Sequence, residues 1–289
     1  MKIISWNCKK GLSSREKYKK LIEFSPDIAV IQECFHPSEF QGDSQHHDMV
    51  WVGENKARGL GLCVLSFSED YKLSMLVDEA KYEWIVPIQV SGKENFTLLA
   101  VWTKRMTGYS YGKVLYSALK EYESFLQGNP VLIIGDFNVD KKVPSSYSGI
   151  KGFSRLTDLF REHGLESCYH YFSKEEYGSE RHATYYHYGK RDRPFHIDYC
   201  MVSKEILQNV QKFYIGESEE WGAFSDHLPL ILDIKIGSVS GNVGNSAKGK
   251  TEITPDLLKE QYSLKIDNEI ATEQEIDEAI RYIKASRLM

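Results

Sequence analysis

Residues 131–140 have the sequence VLIIGDFNVD, in which four aliphatic residues and a glycine precede two polar side chains, Asp136 and Asn138. An unbroken aliphatic run of this kind is typical of a buried β-strand. A buried carboxylate is costly unless it is paired or bound to a metal ion. The strand is therefore predicted to end either in a solvated turn or in a functional site. Asp140, further along, is predicted to be a solvated turn residue.

Composition indicates a globular protein with a sizeable core, because 42% of the 289 residues are hydrophobic and 27% are charged. The net charge of −5 argues against a protein held on nucleic acid by bulk charge, but it leaves room for a local basic groove. The five cysteines are odd in number and widely spaced, which favours reduced thiols and a cytoplasmic location. No run of about 18 apolar residues occurs, so we expect no membrane contact.

Short apolar runs and helical patterns alternate along most of the chain, which predicts an α/β protein built in layers. Strands are predicted at 2–6, 28–32, 61–66, 84–90, 96–102, 131–135, 197–202 and 229–234, and helices at 14–24, 113–127 and 153–163. The composition changes at 237–250, where Gly, Ser and Asn predict a flexible linker. Residues 1–236 are thus predicted to form the main domain, and 251–289 a helical appendage used for self-association or partner contact.

Polar residues recur where the apolar strands end, and in layered α/β proteins such loops gather into one site. They are Asn7, Glu33, Asp136, Asn138, Asp198, Asp226 and His227. Asn7 and Glu33 offer the oxygen ligands that Mg²⁺ prefers. Asp136 could position or deprotonate a water molecule, and Asn138 could donate a hydrogen bond to a phosphoryl oxygen.

His227 completes this chemistry. Oriented by a carboxylate such as that of Asp198, it could transfer a proton or stabilise a developing oxyanion. Together with the oxygen ligands, these groups predict metal-assisted hydrolysis of a phosphoester.

Five segments carry a resemblance to a known family. WNCKKG, DIAVIQE, GDFN, HIDYCMVS and SDHLPL, in this order, resemble the motifs of the endonuclease/exonuclease/phosphatase superfamily, which includes DNase I-like and exonuclease III-like enzymes. The resemblance covers roughly residues 1–236. It implies a four-layer α/β sandwich in which two mixed β-sheets face each other, with helices outside and the site at one edge.

The resemblance also implies roles for individual residues. Glu33 would be the main ligand of Mg²⁺, with Asn7 and Asp226 nearby, and Mn²⁺ could substitute. Asp136 and Asn138 would handle the attacking water and the phosphate. Asp198 and His227 would form an Asp–His pair. Whether the general base is Asp136 or His227 is not decided by the sequence.

The chain departs from the family where DNase I-like members carry a second catalytic histidine, because Trp102 and Thr103 occupy that place. Trp102 is expected either to stack on a substrate base or to fill the core. Lys104 could supply positive charge to a phosphate, and Tyr111 could supply a hydroxyl. His196 stands where many relatives carry arginine and could contact phosphate or pack.

Basic residues cluster around the motifs, including Lys9 near Asn7 and Arg193 before Asp198. Phosphate contacts are commonly built from such residues, and interleaved aromatics at 185–195 could stack on unpaired bases. The leading hypothesis is therefore a Mg²⁺-dependent phosphodiesterase acting on nucleic acid, as an endonuclease or exonuclease. The alternatives are a phosphatase or phosphodiesterase of a small phosphorylated molecule or nucleotide, and a binding module that has lost catalysis.

Overall fold

The computed structural model describes residues 1–12, 14–40, 45–53, 59–82, 84–106, 109–142 and 150–235. The predicted linker at 237–250 and the predicted appendage at 251–289 lie outside these ranges. None of the helices in the described part of the chain has the length and apolar character that a membrane span needs.

The strands form two six-stranded sheets and one small hairpin. Their bounds are β1 (Lys2–Gly11), β2 (Ile28–Cys34), β3 (Asp48–Gly53), β4 (Gly61–Ser66), β5 (Tyr71–Met75), β6 (Ile85–Gly92), β7 (Phe96–Trp102), β8 (Val131–Asp136), β9 (Leu165–Ser167), β10 (Tyr185–Tyr186), β11 (Pro194–Phe195), β12 (Asp198–Ser203), β13 (Val210–Ile215) and β14 (Leu230–Ile234). The first sheet has the order β13-β14-β1-β2-β4-β3, the second has the order β5-β6-β7-β8-β12-β9, and β10 pairs with β11. Both large sheets are mixed, because β1 and β2 are parallel, as are β7 and β8, while the other neighbours are antiparallel.

Helices cover the outer faces of both sheets. Their bounds are α1 (Arg15–Glu23), α2 (Tyr111–Glu121), α3 (Ile150–Glu162), α4 (Cys168–Ser173), α5 (Lys204–Leu207) and α6 (Ser218–Trp221). One apolar core lies between the sheets, a second lies between the second sheet and helices α2 and α3, and a third lies between the first sheet and helices α1 and α6. The architecture is the predicted four-layer α/β sandwich, and that prediction is confirmed.

Local sequence explains how these layers form. The run 131–136 is buried on both faces, as expected for a central strand with a core on each side. Helix α2 begins after Ser110, whose hydroxyl accepts a hydrogen bond from the Lys113 amide at 3.3 Å, and it turns one apolar face toward the second sheet. The eight predicted strands are confirmed within a few residues, whereas β3, β5, β9, β10, β11 and β13 were not predicted.

Candidate active site

Three strands deliver polar side chains to one edge of the sandwich. Asp198 begins β12 directly opposite Asp136, which ends β8, and both lie on the face that points toward the first sheet. From the first sheet, Asn7 on β1 donates a hydrogen bond through Nδ2 to Asp136 Oδ2 at 3.0 Å. The site is therefore assembled across the gap between the two sheets.

Gly135, in the middle of the IIGDF segment, permits this close assembly. Its φ of +147° and the position of the Val101 carbonyl oxygen, 1.9 Å from where a Cβ would stand, exclude a larger residue. The Gln32 side chain from the first sheet also approaches this point. The glycine thus lets a neighbouring strand and the facing sheet come close beside Asp136.

Asp136 is buried and receives several hydrogen bonds. The backbone amide of Asn138 donates to Oδ1 at 2.9 Å, and its Nδ2 donates to Oδ2 at 3.0 Å. Asn138 adopts a left-handed backbone conformation with φ +52°, which asparagine tolerates better than most residues. Burial, together with the nearby charge of Asp198, raises the pKa of Asp136 to about 7, although the charge of His227, Asn7 and the Asn138 amide oppose this shift.

His227 lies between the two carboxylates. Its Nδ1 is 3.2 and 3.0 Å from the oxygens of Asp198, and its Nε2 is 3.9 Å from Asp136 Oδ2. Burial alone would lower the pKa of His227, but the charges of Asp198 and Asp136 outweigh it and raise the pKa to about 9. At neutral pH the ring is therefore an imidazolium that offsets the repulsion between the two carboxylates.

Hydrogen bonds between side chains and the backbone fix the loop that carries His227. Ser225 Oγ accepts a hydrogen bond from the His227 amide at 3.1 Å and donates one to the Asn7 carbonyl at 2.7 Å. The indole Nε1 of Trp6 donates to the His227 carbonyl at 3.2 Å. These contacts join the histidine loop to β1, so Asn7 and His227 keep a defined separation.

Thr184 supports Asp198 and was missed by the sequence analysis. Its buried hydroxyl accepts hydrogen bonds from the amides of Ile197 and Asp198, both at 3.0 Å, and its carbonyl accepts one from Leu228. The residue therefore ties the start of β12 to the histidine loop. It lies in an irregular segment without a motif, so the sequence offers no signal for it.

Glu33 lies beside this network, and its surroundings fit a hard divalent cation. Its carboxylate accepts long hydrogen bonds from Asn7 Nδ2 at 3.4 Å and from the Lys10 amide at 3.2 Å. Among the described residues, no lysine, arginine or histidine forms an ion pair with it. With no cationic side chain of the described residues paired to it, the Glu33 carboxylate could, together with Asn7, hold an ion such as Mg²⁺, which needs only one or two carboxylates.

A second group of ligand atoms lies close by. One ligand atom each of Asp136, Asp198 and His227 lies within 4.8 Å of the others. In this group the His227 proton already supplies positive charge, whereas no cationic side chain of the described residues pairs with Glu33.

Two further predicted residues meet at the rim of the site. Lys9 Nζ is 3.0 Å from Asp226 Oδ2, so each of these side chains already has an oppositely charged partner. Arg193 is exposed on the turn between β10 and β11, where its backbone pairs with that of His187. Their predicted contacts with metal or substrate stay predictions.

Three further candidates lie at or after the end of β7, where Trp102 pairs with Asp136 in the register of β7 and β8. Trp102 is 6% exposed and packs on Trp84 in the core between the sheets, with ring centroids 5.1 Å apart, so of its two expected roles the structure favours the core. The Lys104 ammonium lies over these two rings, 4.5 and 4.9 Å from their centroids. Tyr111, the first residue of α2, packs against the outer core.

His196 is buried, which fits packing better than phosphate contact. Its Nδ1 lies 2.8 Å from the His182 carbonyl, and its ring packs on Tyr169 at 4.6 Å. Burial lowers its pKa, which disfavours the charged form that would bind phosphate.

No protein-family model and no curated protein matches this sequence. Solved structures do resemble it. The endonuclease domain of TRAS1, a telomere-specific non-LTR retrotransposon, has a TM-score of 0.58 at 14% identity, covering 81% of this chain and 98% of that one. NExo from Neisseria, described both as a 3′ phosphatase bound to a product DNA hairpin and, from Neisseria meningitidis, as a 3′–5′ exonuclease, has a TM-score of 0.59 at 19% identity, covering 81% and 99%. The chain therefore has the DNase I-like fold, as the motifs implied.

Proposed function

We propose that the protein is a divalent-metal-dependent phosphodiesterase that hydrolyses phosphodiester bonds of nucleic acids. The observation that carries the proposal is the convergence of Asn7, Asp136, Asp198 and His227 beside Glu33, a carboxylate without a cationic partner among the described residues. The fold supports it, because the TRAS1 domain and NExo are described as nucleases.

The chain's own residues divide the chemistry between them. A divalent cation at Glu33, such as Mg²⁺ or Mn²⁺, would polarise a phosphoryl oxygen and offset developing charge. Asp136, with a pKa of about 7, is suited to accept a proton from the attacking water near neutral pH. Asn138 is held beside it by its hydrogen bond to the Thr103 carbonyl at 3.0 Å and orients the carboxylate.

His227 takes the complementary role. Because its pKa is about 9, the ring is protonated at neutral pH and can donate to the phosphoryl or leaving oxygen rather than accept a proton. Water thus displaces the leaving group: its oxygen bonds to phosphorus while the bond from phosphorus to the leaving oxygen breaks, one water proton passes to Asp136, and the leaving oxygen receives a proton from His227. Exchange with solvent then returns both side chains to their starting protonation. Of the two general-base candidates, the pKa values favour Asp136.

A substrate panel tests the proposal. Purified protein with Mg²⁺ should cleave single- or double-stranded DNA or RNA, and Glu33→Gln, Asp136→Asn and His227→Gln should each lower the rate by about 10²–10⁴-fold. Glu205→Gln is the matched control, because Glu205 lies beyond the opposite end of β12 from Asp198. Unchanged cleavage in Glu33→Gln and Asp136→Asn would refute the proposed site.

The panel also separates the alternatives. Release of inorganic phosphate from nucleotides or from 3′-phosphorylated strands, without cleavage of internal bonds, would identify a phosphatase; one description of NExo motivates this arm. Tight binding of nucleic acid without turnover in any divalent metal would identify a binding module.

A further inference from the structure

The hairpin of β10 and β11 carries a row of aromatic rings that leads from the candidate active site to the solvent. The ring of Tyr185 lies 4.5 Å from that of His227 at an interplanar angle of 36°. The Tyr185 hydroxyl is 3.0 Å from His187 Nδ1, and the His187 ring lies 4.1 Å from that of Tyr188. The row therefore begins on the catalytic histidine and ends on Tyr188.

Tyr188 is exposed to solvent, and its backbone adopts a left-handed conformation that tyrosine rarely adopts. Its side chain is 74% exposed, and its backbone is left-handed, with φ +57° and ψ +27°. Such conformations persist where surrounding structure holds them, and they cluster at binding sites. Here the turn is closed by backbone hydrogen bonds between His187 and Arg193 at 3.0 Å and between Lys190 and His187 at 3.2 Å.

The hairpin is fastened to the loop that carries His227. The Tyr186 amide donates to the Asp226 carbonyl at 2.8 Å, and Tyr185 forms a β-bridge with His227. Backbone contacts therefore set the distance between Tyr188 and His227. An exposed ring at a fixed distance from a hydrolytic site is suited to contact the same substrate molecule.

The positively charged residues of the β10–β11 hairpin indicate which part of a nucleic acid it would contact. Lys190 and Arg193 are exposed on the turn that also presents Tyr188. Exposed cations next to aromatic rings are typical of surfaces on which a single strand lies, with its phosphates on the cations and its bases on the rings. In a duplex the base faces are covered by their stacked neighbours, so, apart from the two terminal pairs of a blunt duplex, an aromatic ring can stack only on an unpaired base.

We propose that the β10–β11 hairpin binds an unpaired segment of a nucleic-acid strand, with one base stacked on Tyr188, while the scissile phosphate lies at His227. This inference rests on the proposed function and specifies its substrate: the enzyme acts at single-stranded nucleic acid or at an unpaired end or flap, rather than within continuous duplex. Stacking does not depend on the base edges, so little sequence preference is expected.

Binding is measured by fluorescence anisotropy with labelled oligothymidylate, oligouridylate and a blunt duplex of equal length, in the Asp136→Asn background so that no probe is consumed. Tyr188→Ala should weaken single-strand binding by between about 5-fold and 150-fold, the loss of one base–aromatic stack. Tyr188→Phe keeps the ring and should retain the affinity. Tyr171→Ala is the matched control, because Tyr171 is also exposed but lies on α4, outside the hairpin.

The inference is overturned if Tyr188→Ala binds the single strands as tightly as the parent, or if it weakens duplex and single-strand binding equally. Cleavage in the otherwise unaltered chain is measured in parallel. Cleavage that is indifferent to Tyr188 would overturn the inference and leave the proposed function standing. Single-strand binding that depends on Tyr188, without cleavage of any nucleic acid, would overturn the proposed function instead.

Discussion

Replacing Asp140 by alanine should destabilise the protein and displace Asp198. The Asp140 side chain is 1% exposed, which contradicts the expectation of a solvated turn residue. Its Oδ1 accepts a hydrogen bond from the Lys142 amide at 2.7 Å, and its Oδ2 accepts one from the His196 amide at 3.0 Å. Asp140 thereby joins the segment after β8 to the segment that leads into Asp198.

The expected loss of stability follows from the two backbone amides, of Lys142 and His196, that donate hydrogen bonds to Asp140. Alanine leaves the buried His196 amide without its acceptor, which costs about 1–3 kcal/mol, while the Lys142 amide lies nearer the surface and can bind water. We expect a loss of about 2 kcal/mol in the free energy of unfolding. In a domain of this size that lowers the melting temperature by about 4–8 °C. Asp140→Asn keeps one acceptor oxygen and should lose about half as much.

Denaturant unfolding of the two Asp140 variants measures the effect, with Asp158→Ala as control. Asp158 is an exposed aspartate that forms a surface ion pair with Arg161, so its removal should change stability by less than about 0.5 kcal/mol. Turnover should fall in Asp140→Ala and recover in part in Asp140→Asn, because Asp198 is displaced less. If Asp140→Ala unfolds at the same denaturant concentration as Asp158→Ala, the two hydrogen bonds do not hold these segments together.

Four further outcomes are expected. Burial lowers the pKa of His227 and Asp198 raises it, so Asp198→Asn should bring the pKa, measured by NMR titration of the ring, well below about 9. Because the pKa of His227 is raised from 6.5, its contribution to stability is complete below about pH 6.5 and is lost as pH rises through about 9. The melting temperature of the metal-free protein should therefore fall over this range, and His227→Gln should make that fall smaller. Mg²⁺ at 100 times its dissociation constant should stabilise the protein by about 2.7 kcal/mol, and this gain should vanish in Glu33→Gln. Arg193→Ala should reduce the salt dependence of single-strand binding by about 0.7 in the log–log slope, whereas Lys93→Ala, in the turn between β6 and β7, should leave it unchanged.

Much of the architecture could be predicted because central strands carry their own signal. The run at 131–136 is apolar on both faces, since a core lies on each side of it, and the polar residues that follow such runs mark the ends of strands. Edge strands lack this signal. The β13 segment VQKFYI mixes polar and apolar residues without regular alternation, because part of it faces solvent at the margin of the first sheet.

Individual side chains were harder to place, because their partners are distant in the sequence. Asp140 is buried where its carboxylate accepts a hydrogen bond from the amide of His196, 56 residues away. Trp102 packs in the core because Trp84, directly before the neighbouring strand β6, packs against it. Short segments of sequence do not encode these long-range contacts. The contacts depend on the order of the strands in the sheets.

Glu33 shows most clearly why the residues of the site could be predicted from the sequence, whereas the backbone geometry that brings them together could not. Along β2, Val30 faces the other sheet and Ile31 faces the helices, so strict alternation would turn Glu33 toward the helices as well. A register irregularity between Ile31 and Cys34, with Glu33 at φ +53°, interrupts the alternation, and Cys34 takes the place in the helix-side core. Bulges redirect side chains in this way at functional sites. The carboxylate is thereby brought to Asn7, and the local backbone cost of a left-handed glutamate is offset by the packing of Ile31 and Cys34 on either side of it.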